Sequence, residues 1–393
     1  MRTGYTTGAN ACAASVAALR ILLGESLQPW TGDLPELTAD RYDQLVGSIL
    51  ITIPNGERVR FAVRTSETQE DEHGTFVRCS VIKDGGDDPD CTHRAEIWAK
   101  VRVTEKPGEI ELLQGEGVGL ITRPGLGLPV GAPAINPVPR RNITEQLCEI
   151  LPPGLGAEVT LGVIGGEEMA KKTLNARLGI IGGVSILGTT GIVRPYSTAA
   201  FRASVTQAID VASNLGIDEI VVTTGGRSER FAQSLRHDLS EQAFIQMGDF
   251  VGHALGHAAS LNVSRVTICG MMGKLSKMAD GKVMTHAKGS AVNMELLSNL
   301  ARSVGVDEKV CAEILEANTG RHVAELVSNT GLFKSFCISI CERVQLMMLE
   351  HLLARWENPP ELCVIFVDFS GYLLGKWPNN ALEPLNLEES NVQ

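Results

Sequence analysis

No uninterrupted apolar run in this 393-residue chain reaches the ~20 residues that span a bilayer, so no membrane-spanning helix and no membrane partner is expected. Positive charge is also scarce. Lys and Arg number 35 against 46 Asp and Glu, a formal net charge of −11. That excludes a general nucleic-acid binder, which needs a basic footprint. A few Arg and Lys gathered in one cleft can still hold an anionic small molecule. The nine cysteines lack the close double spacing of a zinc site. They read as buried, reduced thiols of a cytosolic protein, and no protein-bound metal is expected. The P-loop and the dinucleotide fingerprint are missing. So are a serine elbow and a Cys/His nucleophile signature, which leaves no sign of covalent catalysis. There is no internal repeat and no low-complexity tract.

What is present is an ordinary globular composition, 44% hydrophobic and 21% charged, in a chain long enough for two domains. Arg2–Gly8 (RTGYTTG) is rich in turn formers and leads into fifteen residues rich in Ala and Leu, good helix formers. Thr6 or Thr7 can cap that helix. The capped helix fits better than a secretory leader. Its N-terminal N–H groups serve either the cap alone or an anion site. Ile49–Ile53 and Val59–Val63 flank Asn55-Gly56, a hairpin signal because both turn residues tolerate positive φ. Thr75–Ile82, Ile97–Val103 and Ile110–Leu113 are further strand candidates. Residues 1–150 therefore read as an α+β domain with an antiparallel sheet.

After Pro152-Pro153-Gly154 the pattern changes. Val159–Ile164, Ile180–Leu187, Glu219–Thr224 and Val266–Cys269 read as strands. They alternate with helical stretches at Glu167–Ala176, Ala199–Leu215, Glu241–Leu261, 290–304 and 307–317. Short apolar strands between longer helices predict a mostly parallel sheet with helices on its faces, a Rossmann-like α/β domain over 151–375. Such sheets bind ligands beyond the carboxyl ends of their strands. Cys363–Phe369 reads as one more strand, of either sheet. Residues 376–393 read as a polar tail.

Four constellations carry chemistry. Lys83 to His93 (KDGGDDPDCTH) packs four Asp into seven residues. It reads as a metal loop, a general base or hydrogen-bond acceptor, or a solvated acidic turn. Its spacing does not match the calcium loop. Gly115–Arg141 is a long stretch with little period whose glycines permit close backbone approach to a ligand. Its arginines Arg123, Arg140 and Arg141 can grip carboxylates. Gly179–Pro195 resembles a nucleotide-binding strand and turn without either known spacing. Gly273–Gly281, followed by Thr285-His286 and Lys288, places Lys274, Lys277 and a histidine after a strand end. His253 and His257, one helical turn apart, lack the Glu of the hydrolytic zinc motif.

Jointly, RTGYTTG before the Ala-rich helix, KDGGDDPDCTH, GEGVGLITRPGLGLPVGAPAINPVPRR, LGIIGGVSILGTTGIV and the GK…K…G…TH segment resemble the cobalt-precorrin-5B C1-methyltransferase family, the CbiD type. The likeness runs in order from residue 2 to about residue 375. It implies methylation of C1 of a cobalt-containing corrinoid by S-adenosylmethionine (SAM), giving cobalt-precorrin-6A in anaerobic cobalamin synthesis in the cytoplasm. It also implies a corrinoid as substrate, with neighbouring pathway enzymes and a second copy of the chain as further partners. SAM is expected on the turns formed by Gly182, Gly183, Gly188, Thr189, Thr190 and Gly191 and by Gly225 and Gly226. Lys83, Thr92, His93, Arg123, Arg140, Arg141, Arg194, Lys274, Lys277 and Lys288 are the substrate-binding candidates. Asp84, Asp88 and His286 are the candidates for handling a proton. Cys91 and Arg94 stand where the family pattern has an apolar and a small residue, and Asn293 stands where it has Asp. A nucleotide-dependent transferase and a non-catalytic corrinoid carrier are the rival readings.

Overall fold

The structure is a computed structural model that describes residues 1–31, 33–34, 38–286 and 289–384. It divides into two compact units, Met1–Ser197 and Thr198–Gln393. The sequence pattern places the boundary at 150/151. The difference lies in the strand Gly156–Val163, expected to open the second domain. It pairs antiparallel with Glu96–Thr104 and parallel with Ile110–Gln114, so it belongs to the first unit's sheet.

That sheet has the order Thr65–Asp71, Gly74–Ile82, Glu96–Thr104, Gly156–Val163, Ile110–Gln114, antiparallel except at the last pairing. Alternate residues face opposite sides. Val77, Cys79, Val81, Ile97, Ala99, Val101, Val159 and Leu161 line the buried face. The helix Thr7–Leu22 packs on it, with Ala11, Ala13, Ala14, Ala17 and Ala18 fully buried. Small side chains let its backbone come close to the sheet. Thr6 caps it, its hydroxyl accepting from the N–H of Ala9 at 3.2 Å. The Asn55-Gly56 turn joins strands Gly47–Thr52 and Arg58–Val63 as expected, with Gly56 at φ +90°.

Ile180–Leu187 does not form a full strand. Two-residue bridges at Ile180–Ile181 and Gly183–Val184 pair instead with Leu120–Ile121 and Gly117–Val118. The helix expected over Glu167–Ala176 is two short turns, Gly166–Ala170 and Asn175–Leu178.

The second unit holds a five-stranded sheet ordered Phe244–Gln246, Glu219–Thr223, Arg265–Gly270, Glu361–Val367, Leu373–Trp377. The first three pairings are parallel and the last is antiparallel. Its central strands carry apolar runs, Ile220–Val222 and Leu362–Val367, because both faces are covered. Val221, Phe244, Cys269, Ile365 and Val367 face one cluster. Ile220, Val222, Ile245, Val266, Ile268, Val364 and Phe366 face the larger one. The expected strand Cys363–Phe369 is thus part of this sheet. The expected tail is packed as far as it is described, with Lys376 and Trp377 in the edge strand and Ala381 buried. Residues 385–393 lie outside the described residues.

Seven of the nine cysteines are buried; Cys91 is half-buried, Cys148 is exposed and none is bridged. Burial pushes Cys79 up to about 11 and Cys269 to about 12, so these thiols stay protonated and unreactive near neutral pH. Among the described residues no helix is long and apolar enough to cross a membrane.

Candidate active site

In the first unit the N-terminal lead is the hub. Gly4 lies back to back with Gly85 and Gly86, where a Cβ would stand 2.1 Å from the Gly85 carbonyl carbon. Tyr5 N–H donates to the Asp84 carbonyl at 2.7 Å. Arg2 donates two hydrogen bonds to the Asp84 carboxylate, at 2.5 and 2.6 Å, and its backbone N–H donates to Asp87 at 2.5 Å. The RTGYTTG and KDGGDD motifs are therefore one structure.

This sorts the four aspartates. Burial acts to raise the Asp84 carboxyl, but the Arg2 hydrogen bonds, the Gly86 N–H and the neighbouring charges outweigh it and hold the group below the usual carboxylate range. Asp84 is a clamp, poorly suited to take a proton. Asp90 accepts from Lys83 Nζ at 2.6 Å and from both the N–H and the hydroxyl of Thr92. Lys83 is fully buried and Thr92 is 5% exposed, so neither presents its polar group to a substrate. Asp88 differs. One of its oxygens accepts from Tyr196 N–H at 3.1 Å, and the other has no partner among the described residues.

His93 Nδ1 accepts from the Gly85 N–H at 3.0 Å. That acceptor role leaves the neutral ring's proton on Nε2. Burial, more than the opposing pull of Asp84, lowers the His93 pKa below its ordinary 6.5. Burial also leads the lowering at His253 and His351. A folded-state pKa below the unfolded value means that the unfolded chain binds more protons, so stability is full above about pH 6.5 and falls as pH drops through the folded values. The melting temperature is therefore expected to fall between pH 7 and pH 5. His93→Gln is expected to flatten part of that slope, which a pH series of thermal melts would check.

The arginines separate as well. Arg123 donates to the Arg177 carbonyl at 3.1 Å, and its stem packs on Gly179. Arg141 is exposed beside Glu145. Arg194 is exposed, with no partner among the described residues. Arg140, on the helix Pro137–Ile150, is half-buried with no acidic partner among the described residues, and burial lowers its pKa. A desolvated guanidinium without a counterion favours an anion.

The glycine turns divide by the space around them. At Gly183 a Cβ would meet Gly117 at 2.2 Å, at Gly188 it would meet Thr6 at 2.3 Å, and at Gly191 it would meet Ile53 at 2.7 Å. The protein's own chain fills those positions, and the motifs around 115–121 and 180–191 are knitted to each other. Gly182 is exposed at φ +86°, with only the end of the Gln114 side chain 3.9 Å from a Cβ there, while Thr189 and Thr190 are exposed. The Thr7–Leu22 helix start offers no anion site, because Gly8 N–H donates to the Leu187 carbonyl and Ala9 N–H to Thr6. Gly225 and Gly226 belong to the second unit, so the two sets of turns expected to share one ligand lie in different units.

In the second unit the carboxyl ends of the parallel strands carry Thr224-Gly225-Gly226, Gly270–Gly273 and Asp368. Nothing lies within 4 Å of a Cβ at Gly225 or Gly273, and only the end of the Gln246 side chain approaches Gly226. The helix Gly226–Leu235 has no side-chain cap, so its first N–H groups remain available to a ligand. Lys274 Nζ donates to the Thr224 and Gly248 carbonyls at 2.9 and 3.2 Å and lies 3.3 Å from Asp249. Lys277 is buried and donates to the Thr285 carbonyl. Both lysines tie the strand-end loops together. His286 is exposed in the second unit; Lys288 lies outside the described residues. Asn293 caps the helix Met294–Ser303 and donates to Asp280 at 2.8 Å. Asp at this position would cap equally well but could not make that second bond. His253 and His257 are engaged by Thr206 and Asp210, and no cluster of three metal-ligating side chains occurs among the described residues. Arg2, Asp249 and Asp368 are absent from the sequence candidates. Arg2 sits inside a quoted motif, and Asp368 sits in the expected last strand, so both had a signal.

A mostly parallel sheet with open glycine turns at its strand ends, and in the other unit a half-buried arginine without an acidic partner among the described residues, are what an enzyme can use to hold small anionic molecules. Residues 1–195 match the family model described as CbiD, and residues 284–378 match the one described as CbiD, C-terminal domain. Cobalt-precorrin-5B C(1)-methyltransferase of Leptospira interrogans is 48% identical over 381 residues, 96% of each chain. The protein of the same name from Thermus thermophilus is 48% identical over 379 residues, 96% of this chain and 94% of its own. The crystal structure of a cobalamin biosynthesis protein (cbiD) from Archaeoglobus fulgidus covers 70% of this chain at 26% identity, with a TM-score of 0.34. The chain belongs to the CbiD family.

Proposed function

We infer that this protein is a SAM-dependent cobalt-precorrin-5B C1-methyltransferase of cobalamin biosynthesis, giving cobalt-precorrin-6A. The observation that carries the reading is the 48% identity, end to end, with relatives of that name. The residues fit the chemistry. A sulfonium donor is already activated, so the protein has mainly to hold donor and acceptor in line, which is worth on the order of 10⁵ M or more in effective concentration.

The second unit is read as Rossmann-like and as the donor's site. Numbered along the unit, its strands run 2-1-3-4-5, the doubly wound order whose ligand sits where strands 1 and 3 diverge. Those strands end at Thr224-Gly225-Gly226 and Gly270–Gly273. In the first unit Arg140, Arg194 and the Nε2 proton of His93 are read as ligands of the corrinoid carboxylates and amides, and Asp88 as acceptor of the proton that leaves the ring. The protein is read as cytoplasmic.

Arg140→Ala is expected to raise KM for the corrinoid by about 10- to 100-fold, the worth of one or two hydrogen bonds to a charged group. Steady-state kinetics would show it; an unchanged KM removes Arg140 from the substrate site. Thermal melting separates the methyltransferase from a nucleotide-dependent enzyme. S-adenosylhomocysteine at a hundred times its Kd should stabilise the fold by about 2.7 kcal/mol, whereas ATP should leave it unchanged. Stabilisation by ATP alone would favour the other class.

A further inference from the structure

We propose that the cavity beyond the carboxyl ends of strands Arg265–Gly270 and Glu361–Val367 holds the adenosyl half of the methyl donor, with Asp368 accepting hydrogen bonds from its ribose hydroxyls. This rests on the methyl-transfer reading and adds a subsite to it. The cavity has a volume of about 250 Å³. Sites for drug-sized ligands occupy ~300–1,000 Å³, so this one is of a size to take a single heterocycle with its sugar. Its walls are mainly apolar, formed by Met271, Ala324, Phe333, Phe366, Phe369 and Leu374, with Arg321, Glu325 and Ser328 also lining it. Such walls suit the faces of a purine ring.

Asp368 follows directly on the last residue of its strand. One carboxylate oxygen accepts the N–H groups of Ser370 and Tyr372 at 2.8 and 2.9 Å. Those bonds set the carboxylate's direction. The second oxygen has no partner among the described residues. A carboxylate at a strand's carboxyl end, accepting from ribose hydroxyls, is how open α/β sheets bind nucleosides. The Phe369 ring that lines the cavity also stands near the glycine turn. Arg227, in the first turn of the helix Gly226–Leu235, lies 5.9 Å from the centre of the Phe369 ring. A ligand with its nucleoside in the cavity can therefore extend its amino-acid end toward Gly225 and Gly226.

The test uses the full chain, S-adenosylhomocysteine as the probe in calorimetric titration, and corrinoid binding followed by absorbance. Ala324→Trp fills the cavity and should abolish probe binding. Asp368→Asn should weaken it by about tenfold to a hundredfold and raise KM for SAM, with kcat little changed, because that contact is the same in ground and transition states. Corrinoid binding should survive in both. Wild-type probe affinity in both variants overturns the proposal while leaving the methyltransferase reading intact. So does a loss of corrinoid binding in Asp368→Asn with probe binding retained, which would give the cavity to the substrate. A wild-type protein that neither binds the probe nor transfers methyl would sink both.

Discussion

Asp88→Asn is expected to lower kcat for methyl transfer by about 10²- to 10⁴-fold, the usual contribution of a positioned proton acceptor, with thermal stability unchanged. The asparagine oxygen can still accept from the Tyr196 N–H, so the loop keeps its anchor and loses only its base. Asp84→Asn should behave in the opposite sense. It removes half of the paired charge from the Arg2 clamp and should lower stability first, with activity following the folded fraction. The contrast is readable in one pair of experiments, kcat and melting temperature for both variants. Wild-type turnover in Asp88→Asn would remove this carboxylate from the chemistry and leave His286 as the remaining candidate.

The largest effect on stability is expected from Glu219→Ala. Glu219 stands at the amino end of its strand, between two arginines. Arg236 donates to it at 2.5 and 3.0 Å, and Arg265 lies 3.7 Å away. Arg236 is 0% exposed and Glu219 5%. Asp238 and Glu361 complete the network at 2.8 Å each. Together the partners more than offset the cost of burying Arg236, whose pKa is raised. Removing Glu219 leaves two buried cations undercompensated, which typically costs 3–5 kcal/mol. Denaturant titration should show the lower midpoint at an unchanged slope. The double replacement Glu219→Leu with Arg236→Met should recover much of the loss, because apolar groups of similar volume remove the desolvation cost as well as the attraction. The network lies at the amino ends of the strands, away from the glycine turns, so donor binding by the folded fraction should be unaffected. A change below about 1 kcal/mol would contradict the account of this network.

The features legible in the sequence are the locally determined ones. A threonine before an Ala-rich run specifies a capped helix, and Asn-Gly between apolar runs specifies a hairpin. Partner choice is not local. Gly156–Val163 reads equally well as the first strand of a parallel sheet or an inner strand of an antiparallel one, and only its pairing with Glu96–Thr104 decides. The edge strand Thr65–Asp71 is polar and largely exposed, so it carries no apolar alternation to read. The glycines show a similar limit. Gly188 and Gly225 look alike in sequence, yet one is pressed against Thr6 and the other faces open space. Both kinds of glycine permit close backbone approach, and only the folded chain shows whether the approaching partner is protein or ligand. The four aspartates stand together in the sequence, but which is clamped by Arg2, which pairs with Lys83 and which keeps an oxygen without a partner among the described residues depends on contacts the fold brings to them.

The most direct test of the central claim is mass spectrometry of cobalt-precorrin-5B incubated anaerobically with the full chain and methyl-labelled SAM. The expected product is heavier by one methyl-for-hydrogen replacement and carries the label at C1. Intact substrate recovered unlabelled from folded protein would contradict the assignment and favour a corrinoid carrier.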